Sequence, residues 1–296
     1  MEIQQLRYFI SVVNCKNFTR AAKECNVAQP SLSQQIKKLE DELKAPLFHR
    51  QGRNIFLTEA AHALLPRAQS ILSLHDNAIG EFNDMAGASG IIRFGVIQTM
   101  APYVIPHLLA LHKKAVLPAF EAHEDFTENL IKLLNEGTLD FAIMSSPIPE
   151  ESLMGKVVAQ EPFVAVIPSR HKLAKRTKIT LEEIEGEDFL PLSRIHCAGQ
   201  QINDLCHLNT LKVRTAFQSS QIETILRIVS QGNGITVLPQ MALSGPKRAG
   251  ITRVALNHPE IQRDITLVHH PDRYLSKATH TLIEHLCDTI NNLLHV

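Results

Sequence analysis

Two cysteines nine positions apart are the residues of this sequence with the clearest capacity for chemistry. Cys197 directly follows His196 and lies where a helix could begin, and Cys206 comes nine positions later. A cationic neighbour and a helix N-terminus both favour the thiolate, which is the reactive form of cysteine. Buried cysteines are also common as inert core residues, so this pattern alone leaves a redox role and a structural role open.

The spacing of the two cysteines predicts what their oxidation would do to the chain. If 197–206 form one helix, the two residues face opposite sides and lie about 13 Å apart along its axis. A disulfide needs Cα atoms within roughly 7 Å of each other. Joining Cys197 and Cys206 would therefore force the segment to unwind and repack, so a small oxidation event would have a large structural effect.

Hydroxyl groups at predicted strand and helix ends form a second set of candidates. Beyond Gly90, strand-like and helical patterns alternate, which predicts parallel sheets with helices on both faces. Such sheets bind ligands beyond the carboxyl ends of their strands. Thr99 and Ser145–Ser146 follow predicted strands and Thr127 begins a predicted helix, so they suit an anion or a small polar ligand, or serve as plain helix caps. The strands are predicted at 91–97, 119–122, 139–144, 163–167, 211–217, 235–238 and 265–269, and the helices at 103–111, 127–134, 222–229 and 279–294.

The segment 18–43 contains two short helical patterns around a break at Asn26–Val27. The second pattern begins near Gln29–Pro30, where proline suits a first helical turn because it has no N–H to leave unpaired. Its apolar face is expected to consist of Leu32, Ile36, Leu39 and Leu43. Two helices around a tight break predict a helix-turn-helix, and an ordinary helical hairpin with a solvated face is the alternative.

The polar face of the second helix carries groups that suit base edges and phosphates. A covering helix is predicted ahead of the pair, and a short hairpin, or wing, with basic residues at its tip is predicted behind it. Residues 1–58 carry nine basic and five acidic groups, although the whole chain has zero net charge, and this bias suits a phosphate-binding module. The residues expected to contact DNA are Gln29, Pro30, Ser31, Ser33, Gln34, Lys37, Arg50 and Arg53.

A long helix is predicted from Thr58 to Met85, where apolar or small residues repeat every seven positions and only His75 interrupts them. About 28 helical residues would extend roughly 42 Å, with a kink or a loosened turn at Pro66. A helix of that length cannot bury its whole apolar stripe, the row of apolar residues just described, against the small N-terminal module, or head. We therefore expect it to pair with a second copy. Packing on its own body is the alternative. Residues 87–90 are expected to form a hinge.

Length, composition and the absence of certain motifs exclude several classes of protein. The 296 residues, of which 44% are hydrophobic, suffice for a small module and a larger domain. No apolar run approaches the roughly 20 residues that span a bilayer, and the N-terminus lacks the order of a signal peptide, so we expect a cytoplasmic protein without a membrane partner. Five cysteines, an odd number, do not suggest a secreted disulfide framework. No metal-ligand spacing, dinucleotide fingerprint or nucleophile–base–acid set occurs, so no metal, no cofactor and no enzyme activity are expected.

Several motifs in order along the chain resemble the LysR-type transcriptional regulators. They are LRYF at 6–9, FTRAA at 18–22, AQPSLSQQIKKLEDEL at 28–43, PLFHR at 46–50, LTEA at 57–60, TENLIKLLNEGTLDFAI at 127–143 and GNGITVLP at 232–239. The resemblance implies an α/β protein with an N-terminal winged helix-turn-helix, a long dimerisation helix and a two-lobed effector domain similar to periplasmic binding proteins. One departure is Gln34, where many members have a basic residue.

Mapped onto this chain, the family organisation implies three parts and two lobes. The limits are 1–58 for the winged helix-turn-helix, 59–87 for the dimerisation helix and 88–296 for the regulatory domain, with lobe one at about 91–160 and 265–296 and lobe two at about 161–264.

Within that family, the pattern HC-x8-C resembles the OxyR-type peroxide sensors, as do Thr99 within IQTMAPY and Thr127 within EDFTENL. The resemblance implies that hydrogen peroxide oxidises Cys197, that Cys206 resolves the product as a disulfide, and that Thr99, Thr127 and His196 position the oxidant. Such sensors usually carry a basic and then an acidic residue two and three positions after the first cysteine. This chain has Gly199 and Gln200 there, so the stabilisation of the thiolate by that basic group is missing.

Three classes of function follow from these observations. The first is a thiol-based regulator that binds double-stranded promoter DNA as a homodimer or homotetramer, with RNA polymerase as a further partner and hydrogen peroxide as its effector. The second is a LysR-type regulator that answers a small metabolite, such as a carboxylate, in the cleft between the lobes. The third is an enzyme or solute-binding protein built on the two-lobed body, against which the DNA-binding head argues.

Overall fold

The computed structural model describes residues 1–51, 54–87, 90–114, 116–208, 214–245, 248–257 and 261–295; at positions 50, 51, 54, 207 and 208 it describes the backbone. The chain divides into two compact units. The first is Met1–Ala88 with Asp272–Tyr274, and the second is Ser89–Pro271 with Leu275–Val296.

The first unit begins with three helices, α1 (Ile3–Cys15), α2 (Phe18–Glu24) and α3 (Gln29–Leu43). The side chain of Asn17 accepts a hydrogen bond from the N–H of Arg20 and so caps α2. Asn26 takes a left-handed conformation (φ 55°) that reverses the chain before α3. The two helices and the break between them are thereby confirmed. An antiparallel hairpin of β1 (Phe48–Gln51) and β2 (Asn54–Leu57) follows, as predicted for the wing.

The apolar face predicted for α3 is confirmed for three of its four residues. Leu32, Ile36 and Leu39 are buried in a core shared with α1 and α2. Leu43, however, is 39% exposed. It is the last helical residue, and Lys44 turns the chain into the left-handed region directly behind it, so the final turn extends past the core.

The long helix is α4 (Glu59–Met85), which continues through Pro66 without a break. The Thr58 hydroxyl caps it by accepting from the N–H of Ala61 and donates to the carbonyl of Pro46. The two halves of the apolar stripe of α4 differ in burial. Its first half is buried in the core of the head through Ala61, Leu64, Ala68 and Leu72. The second half is open among the described residues, with Phe82 72% and Met85 80% exposed.

The second unit is built from alternating strands and helices. In chain order they are β3 (Ile92–Ile97), α5 (Ala101–Lys113), β4 (Phe120–Asp125), α6 (Thr127–Asn135), β5 (Phe141–Ser145), β6 (Met154–Pro168), β7 (Lys178–Ile179), β8 (Asp188–Phe189), α7 (Cys197–Leu208), β9 (Arg214–Thr215), α8 (Ile222–Ser230), β10 (Thr236–Pro239), β11 (Ile251–Leu256), β12 (Gln262–His269) and α9 (Lys277–Leu294).

The expectation of parallel sheets is correct in part, because parallel pairing joins β3 to β4 and to β5, β7 to β11, and β8 to β9. β12 runs antiparallel to β5 and to β6, and β10 and β11 run antiparallel to β6. A buried strand appears in the sequence as a short apolar run whether its neighbours are parallel or antiparallel. The sequence pattern therefore could not predict the antiparallel pairs.

The 15-residue β6 was predicted only over 163–167, because its first half is largely exposed and lacks an apolar run. β11 was not predicted. The strand expected at 211–217 is observed at Arg214–Thr215, and residues 211–213 of that prediction lie outside the described part of the chain.

Two apolar cores form on either side of the middle of β6. The first contains Phe94 and Phe141, stacked with ring centroids 5.2 Å apart, together with residues of α9. The second contains Val166 of β6 and Ile225 of α8. β6 pairs with β12 beside the first core and with β10 and β11 beside the second. The strand thus passes from one core to the other and places its central residues between them.

Among the described residues, no helix is both long and apolar enough to cross a membrane.

Candidate functional site

The two candidate redox cysteines lie at opposite ends of α7 and in different surroundings. Cys197 is the first residue of the helix and packs, partly buried, against the first core. Cys206 is 8% exposed and belongs to the second core. Burial raises the pKa of the Cys206 thiol. Both cysteines are free. The single helix that the sequence analysis considered for 197–206 is observed, and a rise over nine positions separates the two cysteines by about 13 Å along its axis.

His196 is a buried, neutral neighbour of Cys197. One ring nitrogen, Nε2, lies 2.7 Å from the carbonyl oxygen of Ser220 and donates to it, and the ring packs against Phe126 at 5.3 Å. Burial lowers the pKa of His196 below its ordinary value, and the charge of Arg263 lowers it further. The imidazole is therefore uncharged near neutral pH. The expectation that a cation precedes Cys197 was wrong, because desolvation removes the charge.

Thr99 is buried just beyond the carboxyl end of β3 and is engaged by a cation. Its Oγ1 accepts a hydrogen bond of 2.8 Å from Nη1 of Arg263. Since that oxygen serves as an acceptor here, the hydroxyl hydrogen of Thr99 remains to be donated elsewhere.

Arg263 is in turn held by Glu161, and the side chains of both residues are 0% exposed. The carboxylate oxygen Oε2 lies 2.8 Å from Nε and 2.7 Å from Nη2 of the guanidinium. The other oxygen, Oε1, accepts from the N–H of Met241 at 2.6 Å. The sequence analysis missed this pair. The two residues are 102 positions apart, and only the register of β6 against β12 makes them neighbours.

Thr127 is the first residue of α6 and is partly exposed. It directly follows Phe126, whose ring contacts His196. Thr99 accepts a hydrogen bond from Arg263, whose charge also contributes to the lowered pKa of His196. His196 precedes Cys197 directly, and Thr127 neighbours the residue whose ring contacts His196, whereas Cys206 lies in the second core.

Gln201 is a further polar group of this region that the sequence analysis did not single out. It lies one turn after Cys197, so the two side chains share a face of α7. Its Nε2 donates to the carbonyl of Ser146 at 2.5 Å. Its buried Oε1 has no hydrogen-bond partner among the described residues. An unpaired buried carbonyl oxygen is costly, and a ligand hydroxyl could satisfy it. The hydroxyl of Ser146 itself is engaged with that of Thr266 at 2.7 Å.

The structure gives a steric reason for Gly199, which stands where the resembling peroxide sensors usually carry a basic residue. A Cβ on Gly199 would lie 2.2 Å from the carbonyl oxygen of Ser193 and 2.6 Å from that of Leu192. Real Cβ atoms do not approach backbone oxygens that closely. No basic side chain fits at this position with the observed backbone, so the missing cation follows from the close packing of the 192–193 segment on α7.

The second candidate site is the polar face of α3. Pro30, Ser31, Gln34 and Lys37 are exposed along it. Gln29 and Ser33 are partly buried and joined to each other, since Gln29 Nε2 donates to the Ser33 hydroxyl at 2.8 Å. The side chain of Arg50 and the whole of Arg53, which are the other two predicted DNA contacts, lie outside the described residues.

No group of three or more His, Cys, Asp or Glu side chains within the described ranges is arranged to hold a metal ion.

Two family models match the chain. The model described as the LysR substrate binding domain matches residues 86–290. The model described as bacterial regulatory helix-turn-helix protein, lysR family, matches residues 3–62. Between them they span both units.

Relatives with curated names match over nearly the whole length. The DNA-binding transcriptional dual regulator OxyR of Escherichia coli K12 is 32% identical over 288 residues, which cover 96% of this chain and 94% of that one. The hydrogen peroxide-inducible genes activator of Haemophilus influenzae is 30% identical over 301 residues, covering 99% of each chain.

A solved structure of a full-length OxyR variant from Pseudomonas aeruginosa superimposes with a TM-score of 0.78 at 28% identity, covering 100% of this chain and 97% of that chain. The matches to both family models and the identity to the named relatives agree with the observed helix-turn-helix and α/β architecture. The chain belongs to the LysR family of transcriptional regulators.

Proposed function

We propose that this LysR-family regulator senses hydrogen peroxide through Cys197 and Cys206. The observation that carries the proposal is the position of α7, which begins with one cysteine against the first core and places the other within the second core. A bond between them cannot form while α7 is helical, so it would couple oxidation to a rearrangement of both surroundings. Relatives about 30% identical are named as hydrogen peroxide-inducible genes activators, which supports the same function.

The chemistry requires two steps. In the first, the Cys197 thiolate attacks one oxygen of hydrogen peroxide. The O–O bond breaks, Cys197 becomes a sulfenic acid, and the second oxygen leaves as hydroxide, which takes up a proton to give water. In the second step, Cys206 attacks the sulfenic sulfur, so that an S–S bond forms and the sulfenic oxygen leaves as water.

Polar groups around Cys197 suit the first step. The Thr99 hydroxyl, whose oxygen is occupied by Arg263, can donate its hydrogen to a peroxide oxygen. The unpaired Oε1 of Gln201 can accept a peroxide hydrogen. In this proposal Thr127 and the neutral His196 complete the surroundings of the oxidant. Hydrogen peroxide is a small donor and acceptor, so a site with both kinds of group fits it.

The surroundings of Cys206 suit the second step. Its raised pKa keeps it a thiol while it is buried in the second core, and a thiol is a poor nucleophile. Unwinding of α7 would expose it to water and allow deprotonation. We infer that Cys206 becomes reactive only after the helix has opened, which orders the two steps.

The regulator is proposed to read promoter DNA through α3 and the wing, and to assemble as a homodimer or homotetramer that acts on RNA polymerase. The open half of α4, with Phe82 and Met85, offers an apolar surface for a second copy. The proposed DNA contacts remain Gln29, Pro30, Ser31, Ser33, Gln34, Lys37, Arg50 and Arg53. The proposed parts remain 1–58, 59–87 and 88–296, with lobes divided near residues 160 and 264.

Thiol mapping tests the proposal. The reduced protein is treated with stoichiometric hydrogen peroxide, alkylated and analysed by peptide mass spectrometry. A Cys197–Cys206 linkage is expected in the wild type and a trapped sulfenic acid at Cys197 in Cys206→Ser, while Cys287→Ser serves as a matched control that keeps the linkage. Absence of the linkage together with unchanged DNA binding would reject the proposal. A peroxide-independent response retained by Cys197→Ser would instead favour a metabolite effector.

A further inference from the structure

The buried pair of Glu161 and Arg263 has no assigned part in the proposed peroxide reaction. Both side chains are completely buried. A buried ion pair is a weak source of stability, because the cost of desolvating two charges can exceed their attraction, and apolar side chains of similar volume often serve as well. Its presence beside a candidate site therefore calls for an explanation other than stability.

The contacts of Glu161 fix the orientation of the guanidinium. Its Oε2 lies near both Nε and Nη2 of Arg263, at 2.8 and 2.7 Å. Its Oε1 is anchored independently by the N–H of Met241 at 2.6 Å. Nε donates a hydrogen bond to Oε2, whereas Nη2 approaches it as an ion-pair contact and has no hydrogen-bond partner among the described residues. The third nitrogen, Nη1, donates to Thr99 Oγ1, 2.8 Å away.

The pair also has an unusual place in the fold. Glu161 and Arg263 face each other across β6 and β12, at the point where β6 passes from the first core to the second. Met241 belongs to the turn that follows β10. The Glu161 carboxylate therefore connects β6, β12 and the turn after β10. Arg263, which it holds, is in turn hydrogen-bonded to Thr99.

We propose that Glu161 is a positioning residue for the peroxide reaction, which holds Arg263 against Thr99 Oγ1 so that the Thr99 hydroxyl hydrogen is turned towards the oxidant. This inference rests on the proposed peroxide function. Without the carboxylate, the guanidinium would lose the two contacts that orient it, and Thr99 would be free to donate elsewhere.

The test compares two reactions of the same sulfur. In a Cys206→Ser background, which stops the second step, the rate constant of Cys197 is measured with hydrogen peroxide and with iodoacetamide, which needs no donated proton. Glu161→Gln is expected to lower the peroxide rate constant at least about tenfold, the effect of losing a hydrogen bond to a charged group, and to leave alkylation within about twofold. A parallel fall in both rates would mean a structural role and would overturn the inference.

A double-mutant cycle with Thr99→Val sharpens the result. If Glu161 acts through Thr99, Glu161→Gln should add little to the loss already caused by Thr99→Val. Additive losses would overturn the proposed route through Thr99. Should Glu161→Gln fail to fold, Glu161→Leu combined with Arg263→Met removes both charges and should show the same selective loss of the peroxide reaction; an unimpaired peroxide rate would then sink the inference.

The parent Cys206→Ser protein separates this inference from the proposed function. If its Cys197 reacts with peroxide no faster than an ordinary free thiol, the peroxide function itself fails. If it reacts fast and Glu161→Gln reacts equally fast, only the role of Glu161 is wrong.

Discussion

The helices α3 and α7 are similar in length but are held in opposite ways. α3 buries a single face, through Leu32, Ile36 and Leu39, in one core. α7 begins with Cys197 against one core and buries Cys206 in another. A helix with one buried face can present its outer face unchanged, as a DNA-reading element must. A helix whose two cysteines pack against different cores cannot join them without disturbing both cores, which suits a switch.

The largest effect is expected from a cavity beneath α3. Ile36 is 2% exposed, and Ile36→Ala should lower the free energy of unfolding of the head by about 2–5 kcal/mol. Urea unfolding measures the loss, and promoter binding should weaken with it because the outer face loses its support. Gln34→Ala, an exposed change on the same helix, should alter stability by no more than about 0.5 kcal/mol. Equal stability losses in the two variants would contradict a single-faced α3.

A smaller but more specific effect is expected at the start of α7. Gly199→Ala places a Cβ against the Ser193 and Leu192 carbonyls, which should cost about 1–3 kcal/mol. Because the strain acts on the helical form, the variant should form the Cys197–Cys206 disulfide faster after peroxide treatment. Stopped-flow quenching with alkylation of free thiols measures the rate.

Ala198→Gly, at the adjacent buried position, is the matched control for Gly199→Ala. It also weakens the helix but adds no atom near Ser193, so it separates helix propensity from the clash. A Gly199→Ala variant as stable as the wild type would show that the 192–193 segment is free to move away.

The contrast between the helices also explains which features the sequence could reveal. The apolar period and the turn at Asn26 are local, so the helix-turn-helix could be predicted from neighbouring residues. The two cysteines and the histidine of α7 are also close in sequence, so they could be singled out as candidates, although a helix over 197–206 was only one possibility. The Glu161–Arg263 pair depends on strand register across 102 positions, and the antiparallel pairing of β6 and β12 has no local signature. The charge of His196 was predicted wrongly because its burial depends on the packed structure.

The pH dependence of stability tests the surroundings of His196. Its folded pKa is lowered, mainly by burial, so it stabilises the fold at pH values above its unfolded pKa, about 6.5, and this stabilisation is lost as the pH falls through the folded pKa. His196→Gln should therefore lose less stability than the wild type between pH 7.5 and pH 5. Urea midpoints at the two values measure the difference, and the exposed His62→Gln should retain the wild-type dependence. A steeper loss in His196→Gln would mean that the imidazole is charged in the folded protein.

The smallest effect is expected from the exposed ion pair that spans the first turns of α7. Arg194, three residues before Cys197, pairs with Asp204 at 2.5 Å, and the two side chains are 54% and 48% exposed. A solvated pair of this kind contributes at most about 1 kcal/mol and is screened by salt. Since the pair connects the segment before α7 to its second half, it must break when the helix opens.

Arg194→Ala should therefore speed disulfide formation by no more than about fivefold at low ionic strength, and the difference from the wild type should shrink in 0.5 M salt. Arg227→Ala removes another exposed pair, with Glu223 on α8, and should leave the rate unchanged. If Arg194→Ala instead slowed the reaction, the arginine would be acting on the chemistry of Cys197 rather than on the helix. Arg194 would then stabilise the Cys197 thiolate in place of the basic side chain that Gly199 excludes. The reactivity of Cys197 would in that case depend on a charge outside α7 rather than on packing within the helix.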